Sequence, residues 1–183
     1  MKGIGLIFAL LAVASNALAA PAMTPAATDK LSRAAQQGYD VGFRDCAAAV
    51  DNLVKFIHED DQNYAYFGQW SATDPNRETF SSLTSEVYND GKGLTAFAAT
   101  KNAAGKCSVV VTQTVVIPNT ICATLRETTF KTWKEYAELN GDKILEDPTT
   151  PNANVVLTPI GQTGCLLLKH IVSYGLDPTP AKK

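Results

Sequence analysis

Cys107-Ser108-Val109-Val110-Val111-Thr112-Gln113-Thr114-Val115-Val116-Ile117 is the stretch whose reading decides the fold. Residues branched at Cβ dominate it, and such side chains fit an extended, pleated backbone. Pro118 stops it, because proline has no N–H to give to a ladder. Its apolar residues run together at Val109-Val110-Val111 and Val115-Val116 instead of alternating with polar ones. That is the pattern of a central strand covered on both faces.

Upstream of this strand the period is two. Tyr64, Tyr66, Gly68 and Trp70 share one face of a strand, with Ala65 and Phe67 on the other. Thr73-Asp74-Pro75-Asn76 is a turn, and Phe80–Tyr88 a second strand with Leu83 and Val87 on one face. Asn89-Asp90-Gly91-Lys92-Gly93 reads as a hairpin turn, Leu94–Thr100 as a third strand, and Asn102-Ala103-Ala104-Gly105 as the turn into Cys107. These four segments form an antiparallel meander.

On either side of the meander the period changes. A helix is predicted from an Asp29 N-cap to about Asp60, with Phe43, Cys46, Ala47, Val50, Leu53, Val54 and Ile57 on one stripe. Gly38 and Gly42 within it are places for a bend, for close approach of another backbone, or for a later helix start. After Pro118, a second helix is predicted from Asn119 or Thr120, carrying Cys122, Leu125, Thr129, Trp133 and Tyr136 on one face and ending at Gly141. Its threonine-rich middle is poor helix former. Lys143–Glu146, Val155–Thr158 and Leu166–Tyr174 read as further strands. The expected class is α+β: an antiparallel meander sheet with two helices packed on it, in the order α-β-β-β-β-α-β-β(-β), stapled by disulfides. No internal repeat is read from the sequence.

Residues 1–19 are read as a signal peptide. Met1-Lys2 is a short positive start, Ile4–Ala14 an apolar stretch too short for a membrane span, and Ala17-Leu18-Ala19 a small-residue cleavage site. The organisation that follows is a Pro/Ala linker at 20–28, a single α+β domain at 29–175, and a disordered tail at 176–183. The expected location is periplasmic or secreted. In an oxidising compartment the even set of Cys46, Cys107, Cys122 and Cys165 implies two disulfides. A strand from Ser108 to Ile117 would hold Cys107 and Cys122 too far apart to pair. If the last strand runs antiparallel to the one after Cys107, the pairs are Cys46–Cys107 and Cys122–Cys165. If it runs parallel, the other pairing follows.

The chain has 16 basic and 18 acidic side chains, and loss of Lys2 with the signal makes it more acidic. This balance gives no electrostatic reason to bind nucleic acid or an anionic membrane. No segment of the predicted mature chain is long and apolar enough to span a bilayer. There is no phosphate-cradling glycine loop, H-E-x-x-H, C-x-x-C-H, G-x-S-x-G or dinucleotide fingerprint. No cofactor is implied.

Three sets of residues carry candidate chemistry. The aromatic face of Tyr64, Tyr66 and Trp70 suits a protein partner or a sugar ring, or else fills the space between sheet and helix. His58 and His170 are the only histidines, so a hydrolase with a histidine base would have to use one of them with nearby carboxylates. Glu59, Asp60 and Asp61 could hold a cation, although the Asp-x-Asp-x-Asp-Gly loop of a calcium site is missing. The plain alternatives are a solvated helix end for His58 to Asp61 and a half-buried strand histidine for His170. The leading expectation is a non-catalytic binding protein of the inhibitor, immunity or assembly-accessory type, whose partner is a protein or other ligand of the export compartment. The alternatives are a small hydrolase at His58 or His170 and a cation-binding module at Glu59, Asp60 and Asp61.

Overall fold

Eight strands form one antiparallel sheet in a computed structural model of the chain, which describes residues 31–58, 64–88 and 91–178. In chain order the elements are α1 (Arg33–Asp40), α2 (Ala47–Ile57), β1 (Tyr64–Gln69), β2 (Phe80–Tyr88), β3 (Gly91–Lys101), β4 (Cys107–Ile117), α3 (Cys122–Glu127), β5 (Lys134–Leu139), β6 (Asp142–Glu146), β7 (Ala153–Ile160) and β8 (Gly164–Leu176). The strand order across the sheet is β1-β2-β3-β4-β8-β7-β6-β5. The α+β class stands, with the sheet dominant and three helices among the described residues where two were expected. β8 also reaches Leu176, into the segment expected to be tail.

Two of the differences have local causes. The single helix expected before β1 is two helices, because Gly42 takes φ +105° and a Cβ there would meet the Pro75 ring at 2.8 Å. The turn at Pro75 therefore packs into the break, where Asn76 Oδ1 accepts the N–H groups of Arg44 and Asp45, each at 3.0 Å. The expected Asp29 cap lies outside the described residues. The second expected helix stops at Glu127, and Lys134–Leu139 is a strand. Asn140 (φ 51°) and Gly141 (φ 94°) are a left-handed pair closing the β5–β6 hairpin, so the glycine ends a hairpin and not a helix. Tyr136 lies in that strand, at a register shift, and not on a helix face.

The sheet is built from two halves of similar plan. In the first, α1 and α2 precede the meander β1–β4; in the second, α3 precedes the meander β5–β8. The halves join where β4 pairs antiparallel with β8, Val111 opposite Ile171 and Thr112 opposite His170. Each half has one disulfide from the start of its helix to the start of its fourth strand: Cys46–Cys107 and Cys122–Cys165. The antiparallel β4–β8 ladder thus selects this pairing. The repeat is one of arrangement, which is why the sequence does not display it.

All three helices contact strands, and both cores lie on the same face of the sheet. Under α1 and α2, Phe43 stacks on Phe80, and Val50, Val54, Phe97, Val109 and Val111 close around them. Under α3, Phe130 meets Trp133 edge-on, over Leu145, Val155 and Leu157. Burying each large apolar side chain contributes about 1.5–3 kcal/mol. Between the cores, Lys169 lies over the Phe56 ring at 5.0 Å. Among the described residues the opposite face has no element on it, so within them β4 is central but covered on one face only. Val109 and Val111 are buried while Val110 and Val116 are exposed.

Candidate functional site

The polar residues of α1 fall at Arg33, Gln36, Gln37 and Asp40, three and four apart, and so form one stripe along the helix. That stripe faces the aromatic residues of β1. Together with Leu31, Val41, Tyr66 and Trp70 it lines an open groove of about 290 Å³. Gln37 lies against the backbone of Gly68, where a Cβ would come within 2.2 Å of Oε1. The glycine in the strand is therefore what lets helix and strand approach. Gln36 Nε2 donates to Asp40 Oδ1 at 2.7 Å, and the Arg33 guanidinium lies over the Tyr66 ring at 5.1 Å. Gln37 Oε1 is buried without a hydrogen-bond partner. Trp70, just past the end of β1, is 41% exposed.

Of the three aromatics expected to form a binding face, Tyr66 and Trp70 line the groove and Tyr64 does not. Tyr64 is 3% exposed and belongs to the core. Its ring stacks on His58 with centroids 4.4 Å apart, and its hydroxyl accepts the Ala34 N–H at 3.3 Å. Arg33 also donates to the Tyr64 carbonyl at 3.1 Å, which caps part of the sheet edge at β1.

His58 is at the end of α2 and 4% exposed. Nδ1 lies 2.8 Å from Glu86 Oε2, and Nε2 lies 2.8 Å from Thr84 Oγ1. A carboxylate only accepts, so Nδ1–H donates to Glu86, and in the neutral ring Nε2 accepts the Thr84 hydroxyl proton. This is the order of acid, imidazole and hydroxyl used in nucleophilic triads. Here the hydroxyl belongs to Thr84, 2% exposed on the buried face of β2, and the ring is covered by Tyr64. A substrate carbonyl has no approach to that oxygen, so the geometry serves to tie α2 to β2. His170 is half-buried on the opposite face of the sheet, 3.0 Å from Thr112 Oγ1. Among the described residues no carboxylate hydrogen-bonds it. Glu59, Asp60 and Asp61 lie outside the described residues. Among the described residues no group of three or more His, Cys, Asp or Glu side chains converges on a point where a metal ion could sit.

Electrostatic perturbation is concentrated at structural joints. Asp45 is held below the ordinary aspartate range by its hydrogen bond from Lys101 and then by Asn76, against the opposing effect of burial. Asp147 is also lowered: burial pushes its carboxyl up, but hydrogen bonds from the side chains and backbone of Thr149 and Thr150 outweigh it. Neither residue lines the groove. Among the described residues, no helix is long and apolar enough to cross a membrane. All four cysteines are in disulfides, so none is a nucleophile. Comparison with protein-family models, with characterised proteins and with solved structures finds no match to this chain.

Proposed function

We propose that the protein is an exported, non-catalytic binding protein of an oxidising compartment, periplasmic or secreted, and that the groove between α1 and β1 receives its ligand. One observation carries this reading: Tyr66 and Trp70, aromatic residues of one strand face, stand opposite a stripe of guanidinium, amide and carboxylate groups on α1. An aromatic wall with convergent polar groups is the usual make-up of a small-ligand site. The volume of about 290 Å³ suits a single ring more than an extended chain. A sugar ring matches the lining best. Its C–H face packs on an indole, and its hydroxyls donate to Asp40 and accept from Arg33 and the Gln36 amide. The two disulfides support the compartment, since such bonds persist where thiols are oxidised.

The test uses Trp70 as its own reporter. In a Trp133→Phe background, soluble oligomers of glucose, mannose and N-acetylglucosamine are titrated while indole fluorescence is followed. A saturable change with at least one of them, abolished by Arg33→Ala, which leaves the Trp70 reporter in place, is expected. Flat titrations with all three to millimolar concentration would remove the saccharide reading of the groove.

A further inference from the structure

The uncovered face of the sheet is apolar where an exposed face should be polar. An antiparallel sheet with one solvated face alternates apolar-in with polar-out. Here the outward positions include Phe67, Leu83, Val87, Leu94, Val110 and Val116, all exposed. The pairing register sets them in rows across the strands. Phe67 faces Leu83, Leu83 faces Ala96, Ala96 faces Thr112, and Thr112 faces His170. One row along, Leu94 faces Thr114, Thr114 faces Leu168, Leu168 faces Val156, and Val156 faces Ile144. Between these rows and β4's own Val110 and Val116 there is no Lys, Arg, Asp or Glu. The first row runs on from His170 to Asn154 and then to the charged pair Glu146 and Lys134, so the charged positions on this face are Lys92 at the start of β3 and Asp142, Glu146 and Lys134 at its β6–β5 end. Continuous apolar surface of this extent marks an interface.

We infer that this face packs against the same face of a second copy of the chain, making a two-sheet sandwich dimer. Two observations favour a copy over another occupant. The face is neutral across its middle, so it offers nothing to a charged partner and meets its own image without repulsion. Its size is also sufficient. Seven spacings of about 4.8 Å and five residues along each strand at about 3.4 Å give roughly 570 Å² per copy, or about 1,140 Å² in all. That clears the mark of about 1,000 Å² that a biological interface should pass. Sheets packed face to face at about 30° interdigitate such side chains. The Val109-Val110-Val111 and Val115-Val116 runs of β4, written for burial on both sides, are then buried on both sides.

Sedimentation equilibrium of the purified, oxidised protein measures the mass directly. A dimer is expected at micromolar concentration. Leu83→Lys and Leu94→Lys, each placing a charge in the middle of the face, should raise the dimer dissociation constant at least about a hundredfold. Both residues are already exposed, so the monomer's circular dichroism and disulfides should not change. Ile121→Lys, exposed at α3 and away from the face, should leave the dimer intact. A monomer at about 100 µM, where a dimer with a dissociation constant near 1 µM would be almost fully assembled, would overturn the inference. So would a dimer indifferent to both lysines, or a monomer that sediments with neutral phosphatidylcholine vesicles, which would assign the face to lipid.

Discussion

Replacing His58 with alanine should cost the fold about 3–5 kcal/mol, an estimate that follows from what the ring touches. The bond to Glu86 Oε2 at 2.8 Å has a charged acceptor, and such bonds contribute about 1.5–3 kcal/mol. The bond to Thr84 Oγ1 at 2.8 Å adds about 1 kcal/mol, and loss of the imidazole leaves that hydroxyl in a 2% exposed position. Stacking on Tyr64, at 4.4 Å and 11°, adds about 0.5–1.5 kcal/mol. The assay is urea unfolding at pH 7 followed by tryptophan fluorescence. For a chain of this size the loss corresponds to a fall in midpoint temperature of roughly 10 °C. A double-mutant cycle with Thr84→Val should show coupling of about 1 kcal/mol. A loss under 1 kcal/mol for His58→Ala, or additive single substitutions, would refute the view that this buried relay is a structural tie.

Further outcomes follow from other joints of the structure. Replacing Cys122 and Cys165 together by serine opens a bridge of sequence separation 43, for which chain entropy predicts a loss of about 4 kcal/mol, measurable as a shift in the urea midpoint. Gly42→Ala should cost about 1–3 kcal/mol by the same assay, since it puts a Cβ at φ +105° against Pro75. Asp45 and Asp147 both titrate below their unfolded values, so the stability they contribute is complete above the ordinary aspartate range and is lost as pH falls through their lowered native values. Wild type should therefore lose stability more steeply below about pH 4 than Asp45→Asn, as read from acid unfolding curves. Equal slopes would remove Asp45 from the account of acid stability.

The meander and the disulfide framework were legible because both rest on local signals. Period-two alternation and turn residues mark β1 to β3, a β-branched run marks β4, and the short reach between antiparallel partners selects the cysteine pairs once β4 and β8 are seen to be adjacent. The region from Thr128 to Gly141 reads as helix because Trp133 and Tyr136 continue the three- and four-residue spacing of Cys122, Leu125 and Thr129, but Thr128, Thr129 and Thr132 lie in turns and Lys134–Leu139 is a strand. An Asn-Gly pair can close a hairpin as well as end a helix, and only the β6 partner at Asp142–Glu146 decides between them. The groove was half legible. Tyr66 and Trp70 declared themselves by strand alternation. The matching stripe of Arg33, Gln36, Gln37 and Asp40 has helical spacing too, but a polar stripe reads as a solvated face until a strand is known to lie opposite it. The His58–Glu86–Thr84 relay had no sequence signal, since its members are 26 and 28 residues from the histidine and meet only through the packing of α2 on β2.

The two half-sheets explain why ligand groove and bare face occur where they do. Each half brings a helix ahead of a four-strand meander and staples the helix start to the fourth strand, so each helix is held over its own half of one face. Only the first half has a second helix, and α1 uses it to cover the β1 edge and wall the groove. The second half has no counterpart to α1, and β5 at its outer edge is exposed along its whole length. Lys134, Glu135 and Glu138 there supply the charges that keep an open edge from pairing with another chain. Association by edge is thus disfavoured at both ends of the sheet, by α1 and Arg33 at β1 and by charge at β5. Among the described residues the apolar face opposite the helices is left uncovered, and the doubly apolar pattern of β4 at its centre is the feature of the sequence that fits a face packed against a second copy.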